Sequence, residues 1–134
     1  MVWFLRYNKL INIKVGKLYS QALIIDDDVD LCNLLRELLS KTIPKVACMH
    51  TIESGRTFLN ENKPDVIFLD NNLPDGRGVE LIAEIRSIAT NSFVIVISAM
   101  ESTKAEASKW GADAILEKPL TISNVIKVLE AESI

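Results

Sequence analysis

The sequence predicts an α/β domain: a doubly wound, five-stranded parallel sheet with helices on both faces. Three observations carry that prediction. Five short apolar runs occur from Ala22 onward, amphipathic segments alternate with them, and the loops between are short. Runs without internal polar residues suit strands covered on both faces. Regular alternation of strand and helix gives parallel pairing, with a helix in each crossover.

The strands are expected at Ala22–Ile25, Lys45–Met49, Val66–Leu69, Phe93–Ile97 and Ala114–Leu116. The first helix, Val29 to Lys41, sets Leu31, Leu34, Leu35 and Leu38 at i, i+3, i+4 and i+7, one helical face. Ser54–Asn62 and Thr103–Lys109 carry weaker helical patterns, and Gly78–Ala89 aligns Leu81, Ile85 and Ile88. The last helix, Ile122 to Glu132, repeats the stripe with Ile122, Val125, Ile126 and Leu129, and Thr121 is placed to cap it. For five such units the expected order is 2-1-3-4-5, the flavodoxin-like arrangement.

A chain of 134 residues is one domain by length and can bury a real core. The net charge of −3 gives no reason to expect nucleic-acid binding. Residues 1–21 hold Arg6, Lys9, Lys14 and Lys17 and no acid, so a +4 segment precedes a −7 remainder. Cys32 and Cys48 stand among apolar neighbours without CxxC spacing or a His cluster, and read as reduced core thiols rather than zinc ligands or a disulfide framework. No apolar run reaches the ~18 residues of a membrane span, and "MVWFL" lacks the basic lead and length of a signal peptide. The expected location is the cytoplasm.

A doubly wound sheet binds its ligand outside the carboxyl ends of its strands, beside the point where strand order reverses. The residues found there are Asp26, Asp27 and Asp28 after strand one, Asp70 after strand three, Ser98 after strand four, and Lys118 with Pro119 after strand five. Strand two, at the periphery, ends in Met49 and His50. Adjacent carboxylates repel, so an acidic triplet after a buried strand is either a solvated turn with a helix cap or a cation site. Converging carboxylates suit Mg2+, a hard cation. A lysine beside them fits an anion shared between metal and ammonium. A phosphoryl group is such an anion: Lys118 would neutralise it, Ser98 would donate a hydrogen bond to it, and Asp70 would take it covalently as an aspartyl phosphate.

With these residues in this order, the chain from Gln21 to Ile134 resembles the receiver domain of two-component response regulators. "LIIDDD" resembles the acidic-pair strand, and "VIFLDNNLPDGRGVELI" the phospho-acceptor strand and its loop, with Pro74 and Gly78 at the expected offsets. "VIVISA" and "GADAILEKPL" supply the hydroxyl and the Lys-Pro pair. The resemblance implies that Asp70 is the phospho-acceptor and that Asp27, Asp70 and the backbone carbonyl of Asn72 hold Mg2+ directly. It implies that Asp26 acts through a bound water, and that Ser98 and Lys118 hold the phosphoryl oxygens. Asp28 is left near the start of the first helix, where a negative charge suits the helix dipole. A cis Lys118–Pro119 bond is also implied. The implied partners are a sensor histidine kinase or histidine phosphotransfer protein and an unknown downstream protein, with no direct nucleic-acid contact and no membrane span. Such a chain is not an enzyme but a signalling domain that promotes its own phosphorylation and dephosphorylation.

The sequence departs from the pattern in two places. Ile115 stands where the family usually has Tyr or Phe, and Ser98 to Lys118 is about two residues shorter than usual, so the fourth helix or its leading loop is trimmed. Trp110 has two readings, packing at the end of the fourth helix or a partner contact. Residues after Pro119 suffice for one last helix, so the expectation is a stand-alone or excised receiver. Residues 1–20 have no counterpart in the family; Ile11, Ile13 and Val15 alternate with Asn12, Lys14 and Gly16, as in a short edge strand, or form a leader. Two other functions remain beside this one. A haloacid-dehalogenase-type phosphatase also uses a strand-end Asp and Mg2+, but its D-x-D motif continues to Thr or Val where this chain has Asp30. A pseudo-receiver, never phosphorylated, is argued against by the complete acidic set and Lys118.

Overall fold

The computed structural model describes residues 19–99 and 103–132; the edge strand expected at Ile11–Val15 lies outside them. Five parallel strands form the sheet: β1 (Gln21–Ile25), β2 (Lys45–Met49), β3 (Val66–Asp70), β6 (Phe93–Ser98) and β7 (Ala114–Glu117). Their order is β2-β1-β3-β6-β7, which is the 2-1-3-4-5 winding. The helices are α1 (Val29–Leu39), α2 (Ile52–Glu61), α3 (Ile82–Ile88), α4 (Thr103–Trp110) and α5 (Ile122–Glu132).

Strand periodicity splits the core in two. In β1, Ala22 and Ile24 join one cluster with Cys32, Leu35 and Leu39 of α1 and Val125 and Leu129 of α5. Leu23 and Ile25 point the other way, into a cluster with Leu59 of α2, Ile82 and Ile85 of α3 and Ala107 of α4. Buried side chains such as Phe68, Ile67 and Ile95 each contribute about 1.5–3 kcal/mol by leaving water. These layers hold the strand ends in fixed relative positions.

The differences from expectation are local. Strands β3, β6 and β7 each run one residue further, taking in Asp70, Ser98 and Glu117, because the ladder extends through these polar ends. The helix expected at Gly78–Ala89 begins instead with a 3-10 turn over Gly78–Leu81. A small antiparallel hairpin, β4 (Asn72–Leu73) with β5 (Gly76–Arg77), follows Asp70. In α1 the buried stripe is Cys32, Leu35, Leu38 and Leu39, whereas Leu34 is 58% exposed. Leu34 and Ile122, which is also exposed, line one apolar groove between α1 and α5. Trp110, at the end of α4, is 41% exposed rather than packed into the core. Thr121 caps α5 as expected, accepting from the Asn124 amide at 3.1 Å.

Candidate functional site

The three consecutive aspartates after β1 have three different environments. Asp26 is still held by the sheet, its amide donating to the Met49 carbonyl at 3.0 Å, and it is fully buried. Its Oδ1 accepts from the Asp28 amide at 2.9 Å. Asp28 turns away and caps α1, its Oδ1 accepting from Leu31 N at 3.1 Å. Asp27, between them, is exposed. Only Asp28 diverges; Asp26 and Asp27 keep oxygens within 4.8 Å of each other, so their mutual repulsion stays in the site.

The Asp26 main chain is pinned from the other side as well. Its carbonyl accepts from His50 Nδ1 at 2.9 Å and from Cys32 Sγ at 3.2 Å. His50, which looked peripheral in sequence, therefore supports the acidic turn. Burial, followed by the proximity of Cys48 and Asp26, pushes the Cys32 thiol up to about 12, so it stays protonated as a donor. Cys48 is half-buried, and both cysteines are free.

Asp70 ends β3 opposite Ile97 of β6 and is 3% exposed. The next residue, Asn71, locks the chain in place. Its amide donates to Ile97 O at 3.1 Å, its carbonyl accepts from Gly78 N at 3.0 Å, and its side-chain Oδ1 accepts from Val79 N at 3.1 Å. Gly78 is required by this close approach: a Cβ there would lie 2.0 Å from the Asp70 carbonyl oxygen. Asn72 follows, its amide 3.3 Å from Asp70 Oδ1.

Ser98 ends β6 and is 4% exposed; its carbonyl accepts from Lys118 N at 2.9 Å, which joins the ends of β6 and β7. The Lys118–Pro119 bond is cis. Lys118 Nζ reaches into the site, 3.3 Å from Asp26 Oδ2 and 3.6 Å from Asp70 Oδ2. Asp26, Asp27, Asp70 and Lys118 are thus brought together, while Asn72 and Ser98 adjoin the cluster through their main chains.

The electrostatics follow from this packing. Burial, reinforced by the negative charge of Asp26, lifts the Asp70 carboxyl to about 6, against the opposing pull of Lys118. Burial works to lower the Lys118 pKa, but Asp70 and Asp26 together outweigh it and raise the net value. The cluster therefore holds a permanent cation beside a carboxylate that is ionised at neutral pH.

One oxygen from each of Asp26, Asp27 and Asp70 lies within 4.8 Å of the others. All three are hard oxygen donors, and the buried Asp26 Oδ2 accepts no hydrogen bond from any described residue other than Lys118, whose ammonium is 3.3 Å away. That donor set fits a hard divalent cation.

A doubly wound sheet with carboxylates and a lysine at its switch point sets a cation-binding donor set beside a positive charge. Residues 22–130 match the response regulator receiver domain, and the chain belongs to that family. It is 33% identical over 119 residues to chemotaxis protein CheY of Thermotoga maritima, covering 85% of this chain and 98% of that one. It is 36% identical to the KDP operon transcriptional regulatory protein KdpE of Escherichia coli, over 79% of this chain and 48% of that protein. The chain thus spans nearly all of the first relative and about half of the second. Among solved structures, a two-component response regulator from Clostridium difficile superposes with a TM-score of 0.77 at 29% identity, covering 84% of this chain and 94% of that one. A Burkholderia pseudomallei response regulator, described with a phosphorylated aspartic acid, calcium ion and citrate, shares the fold at a TM-score of 0.77 and 23% identity, over 85% of this chain and 68% of that one.

Proposed function

We propose that this receiver accepts a phosphoryl group on Asp70 from a phosphohistidine of a sensor histidine kinase or histidine phosphotransfer protein, and signals the change to a downstream protein. The observation that carries this reading is the placement of Lys118 Nζ within 3.6 Å of Asp70 Oδ2 beside the buried Asp26. An Asp70 oxygen attacks phosphorus, the new O–P bond forms, and the N–P bond breaks with the imidazole as leaving group. Lys118 neutralises charge on the transferred group and Ser98 donates a hydrogen bond to one of its oxygens. Asp70 is ionised for attack above a pKa of about 6. Asp27, Asp70 and the Asn72 carbonyl would hold Mg2+ directly, with Asp26 acting through water. When bound, Mg2+ supplies charge neutralisation at the phosphoryl oxygens. A cytoplasmic location accords with a histidine-kinase partner.

The test is incubation with Mg2+ and a small-molecule phosphodonor, followed by intact mass. One alkali-labile phosphoryl group per chain, absent from Asp70→Asn, supports the reading. Continuous release of phosphate from many phosphomonoesters would instead indicate a phosphatase.

A further inference from the structure

We propose that Asp75 is a positioning residue for the acidic site: by capping α2 it fixes the β4–β5 hairpin, and with it the Asn72 main chain beside Asp70. The proposal rests on the reading of the Asn72 carbonyl as a metal ligand.

The hairpin has two residue pairs, Asn72 with Arg77 and Leu73 with Gly76, which is too little ladder to hold itself. Something outside it must set its position. Leu73 is buried in the second core cluster and anchors one side. The turn residue Asp75 anchors the tip: Oδ1 accepts from Ile52 N at 2.8 Å, and Oδ2 from Glu53 N at 3.0 Å. These hydrogen bonds hold the Asp75 carboxyl below its ordinary value, as expected of a carboxylate at a helix start. Gly76 completes the seat. Its φ is +148°, and a Cβ there would lie 3.0 Å from Ile52 Cδ1, so the turn is pressed against the first residue of α2.

Helix α2 already has a cap of its own. Thr51 Oγ1 accepts from Ser54 N at 3.0 Å, and Ser54 Oγ accepts from Thr51 N at 3.2 Å. That capping box leaves the Ile52 and Glu53 amides, the remaining donors of the first turn, and Asp75 takes both. Thr51 serves the helix alone, whereas Asp75 serves helix and hairpin together. The two residues therefore separate a loss of helix capping from a loss of site positioning.

The experiment compares wild type, Asp75→Ala, Asp75→Asn and Thr51→Ala by Mg2+ titration, by amide NMR of the metal-free protein, and by labelling rate at saturating Mg2+. Asp75→Ala is expected to shift the Asn72 amide and weaken Mg2+ affinity about tenfold, as loss of an outer support does, with the saturating rate retained. Asp75→Asn, which keeps one acceptor, should fall between, and it carries the test if Asp75→Ala does not fold. Thr51→Ala should leave Mg2+ affinity and the Asn72 amide at their wild-type values. Equal affinity in wild type and both Asp75 variants overturns the proposal, as does an equal loss in Thr51→Ala. Wild type that binds no Mg2+ would overturn the site reading itself, and the positioning role with it.

Discussion

The Lys118 ammonium stands 3.3 Å from Asp26 Oδ2, a fully buried oxygen that accepts no hydrogen bond from any other described residue. Lys118 thus has a structural task besides any catalytic one. Lys118→Ala leaves two buried carboxylates without their cation. Because the lysine side chain is 27% exposed, solvent screens part of the interaction, and the expected loss is about 1 to 3 kcal/mol in chelator. Mg2+ should restore much of it, since a second cation then meets the same charges. Thermal melts with and without Mg2+ check this; a loss equal in both conditions would count against it.

Asp70 gives a pH dependence whose sign is fixed by its packing. Burial first, and Asp26 second, raise its folded pKa to about 6 from 3.8, so ionisation opposes folding. The stability conferred by the neutral form is complete below pH 3.8 and is lost as pH rises through about 6. In metal-free buffer, Asp70→Asn should be more stable than wild type at neutral pH, on the order of 1 to 3 kcal/mol. The difference should vanish near pH 4. Denaturant titrations across that range measure it, and a constant difference would refute the assignment.

Gly78→Ala places a methyl group 2.0 Å from the Asp70 carbonyl oxygen, where main chain must move. The expected cost is at or above the top of the ~1–3 kcal/mol usual for overpacking. Labelling of Asp70 should slow in parallel, because the displaced atom belongs to that residue. A folded variant that labels at the wild-type rate would contradict the tight approach.

Ile115 bears on how the phosphorylated state is transmitted. It is half-buried in β7 and packs against the second core cluster. No large ring is available there to swing between exposed and buried positions. Beryllofluoride, a phosphoryl mimic, should produce large amide shifts at Asp70, Ser98 and Lys118 and small ones at Ile115. Shifts at Ile115 as large as those at Ser98 would show a full switch by another route.

The parts of this molecule legible in sequence are those written in contiguous residues. Apolar runs of four or five residues marked β1, β2, β3 and β6, and the polar residues at or just past the ends of β1, β3, β6 and β7 marked the site. Asp28 and Thr121 could be placed as caps because their partners are three residues away. The strands of the β4–β5 hairpin carried no signal, since two-residue strands have no periodicity, although Pro74-Asp75-Gly76 marks the turn between them. Nor did the Asp75 cap of α2, whose donors lie 22 and 23 residues earlier in the chain. His50 was hidden for the same reason, as its partner is the Asp26 main chain, a group every residue possesses. Leu34 misled because a leucine at the edge of a helical stripe satisfies the pattern whether or not a neighbour covers it.

The central claim is that Asp70 is the phospho-acceptor, and intact-mass measurement with a small-molecule phosphodonor and Mg2+ tests it most directly. Wild type should gain one alkali-labile phosphoryl group that requires Mg2+ and is lost on addition of chelator before the donor. Asp70→Asn, folded by circular dichroism, should gain none. Equal labelling of the two proteins, or a label that maps to another residue, would contradict the account.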